Sequence, residues 1–176
     1  MISFICSAYN RPNNLKLLAY SLICQTCADW ELLVMDESEE RINDITSLDK
    51  RIRFFPCDRF NDWGYSVKNQ GIGEARGEFL CFPADDAYYA PPFVTMMTSI
   101  LRDNDIAYCN WIHDRHEYQP VSVAPLVGLI DVGGFVIRKN KMTLFDKHQL
   151  ADGMLIQDLA TKCNHAGTKQ YLYVKN

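Results

Sequence analysis

The sequence predicts an α/β domain with a central, mostly parallel sheet flanked by helices. Three observations predict it. Short apolar runs of strand length recur through the first half, and stretches with helical spacing separate them. The runs are apolar at consecutive positions, the pattern of strands covered on both faces, as in parallel sheets. Polar clusters close three of them, which is where open α/β sheets gather ligands. The 176 residues suit one domain of ordinary size. A composition of 48% hydrophobic and 23% charged residues is globular and excludes a wholly disordered chain. The net charge of −4 argues against a generic nucleic-acid coat, which is usually basic.

Each element has its own signal. Residues 2–7 are an apolar run that Tyr9-Asn10-Arg11-Pro12 breaks. Leu15, Leu18 and Leu22, with Ala19 and Ile23, recur at helical spacing, and Asn13 or Asn14 is available as a cap. Residues 30–35 read as a buried strand ending at Asp36-Glu37-Ser38. Residues 42–48 suggest a short helix and 52–55 a third strand. Residues 63–75 are helix-like, with a break at Gly71 and Gly73. Residues 78–82 form a fourth strand that stops at Pro83-Ala84-Asp85-Asp86. Pro91-Pro92 opens a helix to about Leu101, and residues 106–111 are strand-like. Residues 112–130, with His113, Asp114, Arg115 and His116, read as a loop. A strand over 133–138, a helix over 152–164 and a strand over 170–174 complete the chain.

The chemistry collects at strand ends. Tyr9-Asn10-Arg11, Asp36-Glu37 and Asp85-Asp86 are distant in sequence, yet a parallel sheet brings them to one crevice. Adjacent carboxylates repel, so the pair Asp85-Asp86 calls for a reason. A divalent cation is one, since Mg²⁺ and Mn²⁺ favour oxygen ligands and share them with substrate phosphates. A helix-capping Asp beside a solvated one is the other. The seven cysteines are odd in number, and several lie in apolar runs, as buried thiols of a reducing compartment do. Cys24 and Cys27 lack the second pair a structural zinc site needs. No leader is expected ahead of the first strand, and no apolar stretch nears the roughly 20 residues of a membrane span. The expectation is a soluble cytoplasmic protein.

Ile2-Ser3-Phe4-Ile5-Cys6-Ser7-Ala8-Tyr9-Asn10-Arg11-Pro12, then Cys24-Gln25-Thr26 and Asp29-Trp30-Glu31-Leu32-Leu33-Val34-Met35-Asp36, resembles the opening of family 2 glycosyltransferases of the GT-A (Rossmann-like) fold. The resemblance continues at Lys68-Asn69-Gln70-Gly71-Ile72, Ala75-Arg76-Gly77-Glu78, Asp85-Asp86, Gly133-Gly134-Phe135 with Arg138, and Ala151-Asp152-Gly153. It covers about residues 2–160. It implies a single domain over 1–176, with a nucleotide-sugar half to about 90 and an acceptor half beyond. It also implies roles. Ala8, Tyr9 and Arg11 line the base pocket, and Asp36 hydrogen-bonds the base. Lys68 neutralises the diphosphate, Asp85 meets the ribose or metal, Asp86 holds Mn²⁺ or Mg²⁺, and Asp152 is the catalytic base. The implied reaction is an inverting transfer from a nucleotide-diphosphate sugar, most often a UDP-sugar in this family.

The chain departs from the family pattern at Ala84, where the metal element usually has an acid, and at Glu37. Little chain follows residue 164 to build an acceptor lid, so the acceptor side is expected to be open or completed in a homo-oligomer. Ala84 and that short end motivate a second reading, a sugar-nucleotide-binding module without turnover. A nucleotidyltransferase would need a Gly-rich basic loop where Ala8–Pro12 stands, and ranks lower. Asp152 has rivals in Asp146 and Asp158, and an Asp opening a helix is often only a cap. Trp63 and Tyr65 are candidate stacking groups, with core packing as the alternative. His113, His116, His148 and His165 are scattered and default to surface or satisfied residues. The acceptor stays open among a saccharide, a protein side chain, a small molecule and a modified nucleic-acid base.

Overall fold

The computed structural model describes residues 1–41, 43–113, 117–146 and 150–176. Ile42, which opens the expected short helix, and Asp114, Arg115, His116 and His148 lie outside the described residues. The chain runs β1 (Ile2–Ala8), α1 (Pro12–Ile23), β2 (Trp30–Asp36), β3 (Ile52–Pro56), α2 (Tyr65–Glu74), β4 (Phe79–Cys81) and β5 (Ala87–Tyr89). It continues through α3 (Phe93–Ile100), β6 (Ile106–His113), β7 (Pro120–Val121), β8 (Phe135–Arg138), α4 (Ala151–Lys162) and β9 (His165–Lys175). These strands form one sheet in the order β3-β2-β1-β4-β8-β6-β9-β5, with β7 beside β6.

The pairing sets where the site lies. β1 is parallel to β2 and β4, and β2 to β3. β8 runs antiparallel to both β4 and β6, and β6 is parallel to β9. Therefore β1, β2, β3, β4, β6 and β9 all point the same way, and their carboxyl ends share one rim.

Alternation on β1 divides the core. Ile2, Phe4, Cys6 and Ala8 pack with Leu15, Leu18 and Leu22 of α1 and with Phe93, Val94 and Met97 of α3. Ile5 faces the other way, with Val67 of α2 and Ile156 and Leu159 of α4. Burial on both faces is why these strands are apolar without a polar alternate. No described helix is long and apolar enough to cross a membrane.

Four local expectations are corrected. α1 begins at Pro12 with Arg11 as its cap residue, and no side chain caps it, so Asn13 and Asn14 lie inside the first turn. Pro12, first in the helix, has no amide to be left unpaired there. α2 passes through Gly71 and Gly73 unbroken. A Cβ at Gly71 would lie 2.4 Å from Ile5 Cγ2, so this glycine lets α2 settle close onto β1. Gly133 and Gly134 belong to a 3-10 turn, Val132–Gly134, rather than to the strand that follows. The short helix after β2 is a 3-10 turn, Asn43–Ser47. β5 and β7 carry too few residues to signal themselves, and β7 lies within the stretch read as loop.

Candidate functional site

The shared rim carries a cleft of about 650 Å³. Ala8, Tyr9, Arg11, Lys68, Asp85, Asp86 and Asp152 all line it. These seven predicted residues come from four separate segments. Asp36 does not line the cleft; it is fully buried behind the wall that carries Glu37, and its Oδ1 accepts from the Ser38 amide at 3.1 Å.

The turn after β1 is tied to the turn after β4. Asn10 adopts a left-handed backbone, φ 53°, which Asn tolerates better than most residues. That turn lets the Tyr9 amide donate to Asp85 Oδ2 at 3.1 Å and the Asn10 amide to Ser38 Oγ at 2.8 Å. Arg11 Nη1 donates to Asp85 Oδ1 at 3.2 Å and to Asp86 Oδ2 at 2.6 Å. One guanidinium thus holds the two carboxylates together. Burial pushes the Asp85 carboxyl above its usual value, and the nearby Asp86 charge adds to this, while the Tyr9 amide and Arg11 oppose it. Asp86 Oδ1 is buried with no hydrogen-bond partner among the described residues. Ala84 lines the cleft with a methyl group and pairs with Ser7 through the backbone.

The segment between β3 and α2 builds the next wall. Arg59 lies over the Tyr9 ring at 3.7 Å and is 3.5 Å from Glu37 Oε2. Glu37 Oε1 accepts from the Phe60 amide at 2.9 Å. Asp62 starts α2 by accepting from the Ser66 amide at 3.0 Å. Trp63 lines the cleft 61% exposed, unlike the core tryptophans Trp30 and Trp111. One turn into α2, Lys68 is only 6% exposed. Its ammonium lies 5.2 Å from the Tyr65 ring centre and makes no ion pair among the described residues. Burial lowers its pKa, while the charge of Asp152 pulls it back up.

The remaining lining comes largely from the second half of the chain. Asp152 is in the first turn of α4, where an acid is favoured by the helix dipole, and its Oδ1 accepts from the Gly153 amide at 2.7 Å. Burial raises the Tyr65 hydroxyl to about 12, and the Asp152 charge acts in the same direction. Asp131 and Lys175 also line the cleft. Asp131 Oδ1 accepts from the Gly133 amide and the Tyr173 hydroxyl, both at 2.8 Å. Its Oδ2 accepts from Lys175 Nζ at 2.8 Å. Burial alone would raise the Asp131 pKa, but these donors hold it below the usual value. Sequence reasoning missed Asp131, Lys175 and Arg59. The one available signal was an Asp inside the apolar run Leu129-Ile130-Asp131-Val132. His113 lines the cleft at the end of β6, and His165 starts β9 outside it.

A family model described as glycosyl transferase family 2 matches residues 3–158. An uncharacterized glycosyltransferase of Rickettsia felis is 29% identical over 126 residues, which is 69% of this chain and 20% of that protein. The structure of S. aureus TarS 1-349 in complex with UDP-GlcNAc superposes with a TM-score of 0.82 at 16% identity, over 98% of this chain and 57% of that one. Mannosyltransferase PcManGT from Pyrobaculum calidifontis, in complex with GDP-Man and Mn²⁺, gives 0.79 at 13% identity, over 99% and 56%. At these identities the two solved structures speak to the fold alone. The chain spans a fifth of the bacterial relative and under two thirds of either solved chain.

Proposed function

The chain belongs to glycosyl transferase family 2, and from that premise we propose that it moves a sugar from a nucleotide-diphosphate donor, a UDP-sugar, to an acceptor hydroxyl with inversion. The observation that carries the reading is the convergence of Arg11, Lys68, Asp85, Asp86 and Asp152 on one cleft.

Charge supports a donor that arrives with a cation. Arg11, Arg59, Lys68 and Lys175 line the cleft against Glu37, Asp85, Asp86, Asp131 and Asp152, leaving an excess of negative charge. A diphosphate alone would meet net repulsion there. The orphaned, buried Asp86 Oδ1 fits a hard divalent ion. Asp86 would hold Mn²⁺ or Mg²⁺, and such an ion supplies Lewis-acid charge to a departing diphosphate. Ala84 adds no ligand, so Asp86 carries the protein's share with Asp85 beside it.

The chain's own groups supply the rest. Ala8, Tyr9 and Arg11 form the base pocket. Asp36 supports that pocket from behind, and direct contact with the base would require it to leave its bond to Ser38. Lys68 donates to the diphosphate and takes up charge as the bond from the anomeric carbon to phosphate oxygen breaks. The acceptor oxygen forms the new bond to that carbon from the opposite side. Its proton passes to Asp152. A single displacement with one base inverts the centre and needs no carboxylate nucleophile.

Calorimetric titration with UDP, GDP, CDP and dTDP, with and without Mn²⁺, tests this. The expected result is binding of one nucleotide that requires the metal and is lost in Asp86→Ala. A folded protein that binds none of the four removes the reading.

A further inference from the structure

Lys68 and Lys175 both line the cleft. Lys68 comes from α2, and Lys175 comes from the last residue of β9. Burial lowers the pKa of Lys68 most, and the Lys175 charge acts in the same direction. Two ammonium groups lining one cleft repel each other, and an anion bound there relieves the repulsion. Lys68 in particular is a buried cation with no ion-pair partner among the described residues. Such a group is costly unless a ligand completes it.

Lys175 is held in place from outside its own strand. Its Nζ donates to Asp131, which is fixed by the Gly133 amide and the Tyr173 hydroxyl. Burial would lower the Lys175 pKa, but the charge and hydrogen bond of Asp131, together with the charges of Asp86 and Asp152, outweigh it and leave the pKa raised. Lys175 therefore stays a cation despite its burial. The next residue ties this strand end to the Asp85-Asp86 turn, since the Asn176 amide donates to the Asp86 carbonyl at 3.2 Å. An ammonium has three donors, and Asp131 uses one, which leaves two.

We infer that Lys175, aimed by Asp131, is the second arm of a two-lysine clamp that closes with Lys68 on the diphosphate of the ligand. Lys175 touches the phosphate oxygens, and Asp131 is a positioning residue that acts through it. The inference rests on the reading of the cleft as a nucleotide-diphosphate site, and extends it to a residue beyond the matched family region.

The test uses inorganic pyrophosphate, the nucleoside diphosphate that binds best, and the matching nucleoside, each titrated with Mn²⁺ present. Lys175→Gln is expected to weaken pyrophosphate and nucleoside diphosphate by about ten- to a hundredfold, the value of one charge-assisted hydrogen bond. It is expected to leave the nucleoside unchanged. Lys175→Arg should recover most of the loss, and Asp131→Asn should show a smaller loss of the same pattern. Equal pyrophosphate affinity in wild type and Lys175→Gln overturns the clamp. If wild type binds pyrophosphate and no nucleotide, the clamp stands and the transferase reading falls. A measurement on the unmodified chain guards against a variant that does not fold. Acetylation of Lys175 by an amine-reactive ester, followed by mass spectrometry, should slow when pyrophosphate is added, and an unchanged rate counts against the clamp.

Discussion

Asp152 illustrates how a side chain that suits a helix start can also suit a proton transfer. Its place in the first turn of α4 is explained by the helix dipole alone, yet the same turn lets it line the cleft together with Lys68. Asp152→Asn keeps the shape and the local bond to the Gly153 amide while removing the base. Turnover is expected to fall about 10²- to 10⁴-fold, with nucleotide affinity by calorimetry within about twofold of wild type. Unreduced turnover would assign the base elsewhere. The residue level was also where the sequence was most readable. Tyr9, Arg11, Asp85 and Asp86 stand directly after apolar runs, so their strand-end location follows from the pattern. Asp36 shows the limit of that argument. It ends β2 as expected, but the chain turns so that Glu37 meets the cleft and Asp36 is sealed behind it.

Among the elements, the turn between Asp131 and β8 joins packing to function. A Cβ at Gly133 would lie 2.4 Å from the Tyr173 ring and its hydroxyl, so the two can meet only without a side chain there. The same tyrosine donates to Asp131, and Asp131 holds Lys175. Gly133→Ala is expected to lower stability by about 1–3 kcal/mol through overpacking, read from urea unfolding. It should also weaken pyrophosphate binding, because the displaced ring no longer sets Asp131. A stable variant with unchanged pyrophosphate affinity would separate the turn from the site. Sequence pattern placed these glycines in a strand because Phe135-Val136-Ile137 continues them as an apolar run. Nothing in that run signals an aromatic ring from β9 pressing on its first residues.

For the whole molecule, Glu31 acts as a tie between segments. Its carboxylate accepts from Ser3 Oγ at 2.7 Å, the Arg76 amide at 2.6 Å and Arg53 Nη1 at 3.2 Å. It thus links β1, β2, β3 and the connection from α2 to β4. Burial pushes its pKa up, but these three donors more than offset that and leave it below the usual value. A carboxylate depressed in the folded state stabilises it above the unfolded pKa, roughly 4.3, and that contribution is lost as pH falls through the folded value. Urea midpoints are therefore expected to drop as pH is lowered from 6 to 3. Glu31→Gln should be less stable at pH 7 by about 1–3 kcal/mol and should show a shallower acid decline. An identical acid slope in the variant would assign that decline to other groups.

By itself the sequence determined the covered parallel strands, the helices between them and the polar groups at the strand ends. These are local properties: strand and helix periodicity, and side chains adjacent to the runs they terminate. The family resemblance was readable for the same reason, since its residues sit in short contiguous stretches. Only the tertiary structure decided that Asp131 and Lys175, 44 residues apart, form one ion pair inside the cleft. That pairing depends on β9 entering the sheet between β6 and β5, and on β8 reversing direction so that β6 and β9 point with β1. Sheet order is settled by long-range packing, and no window of neighbouring residues encodes it.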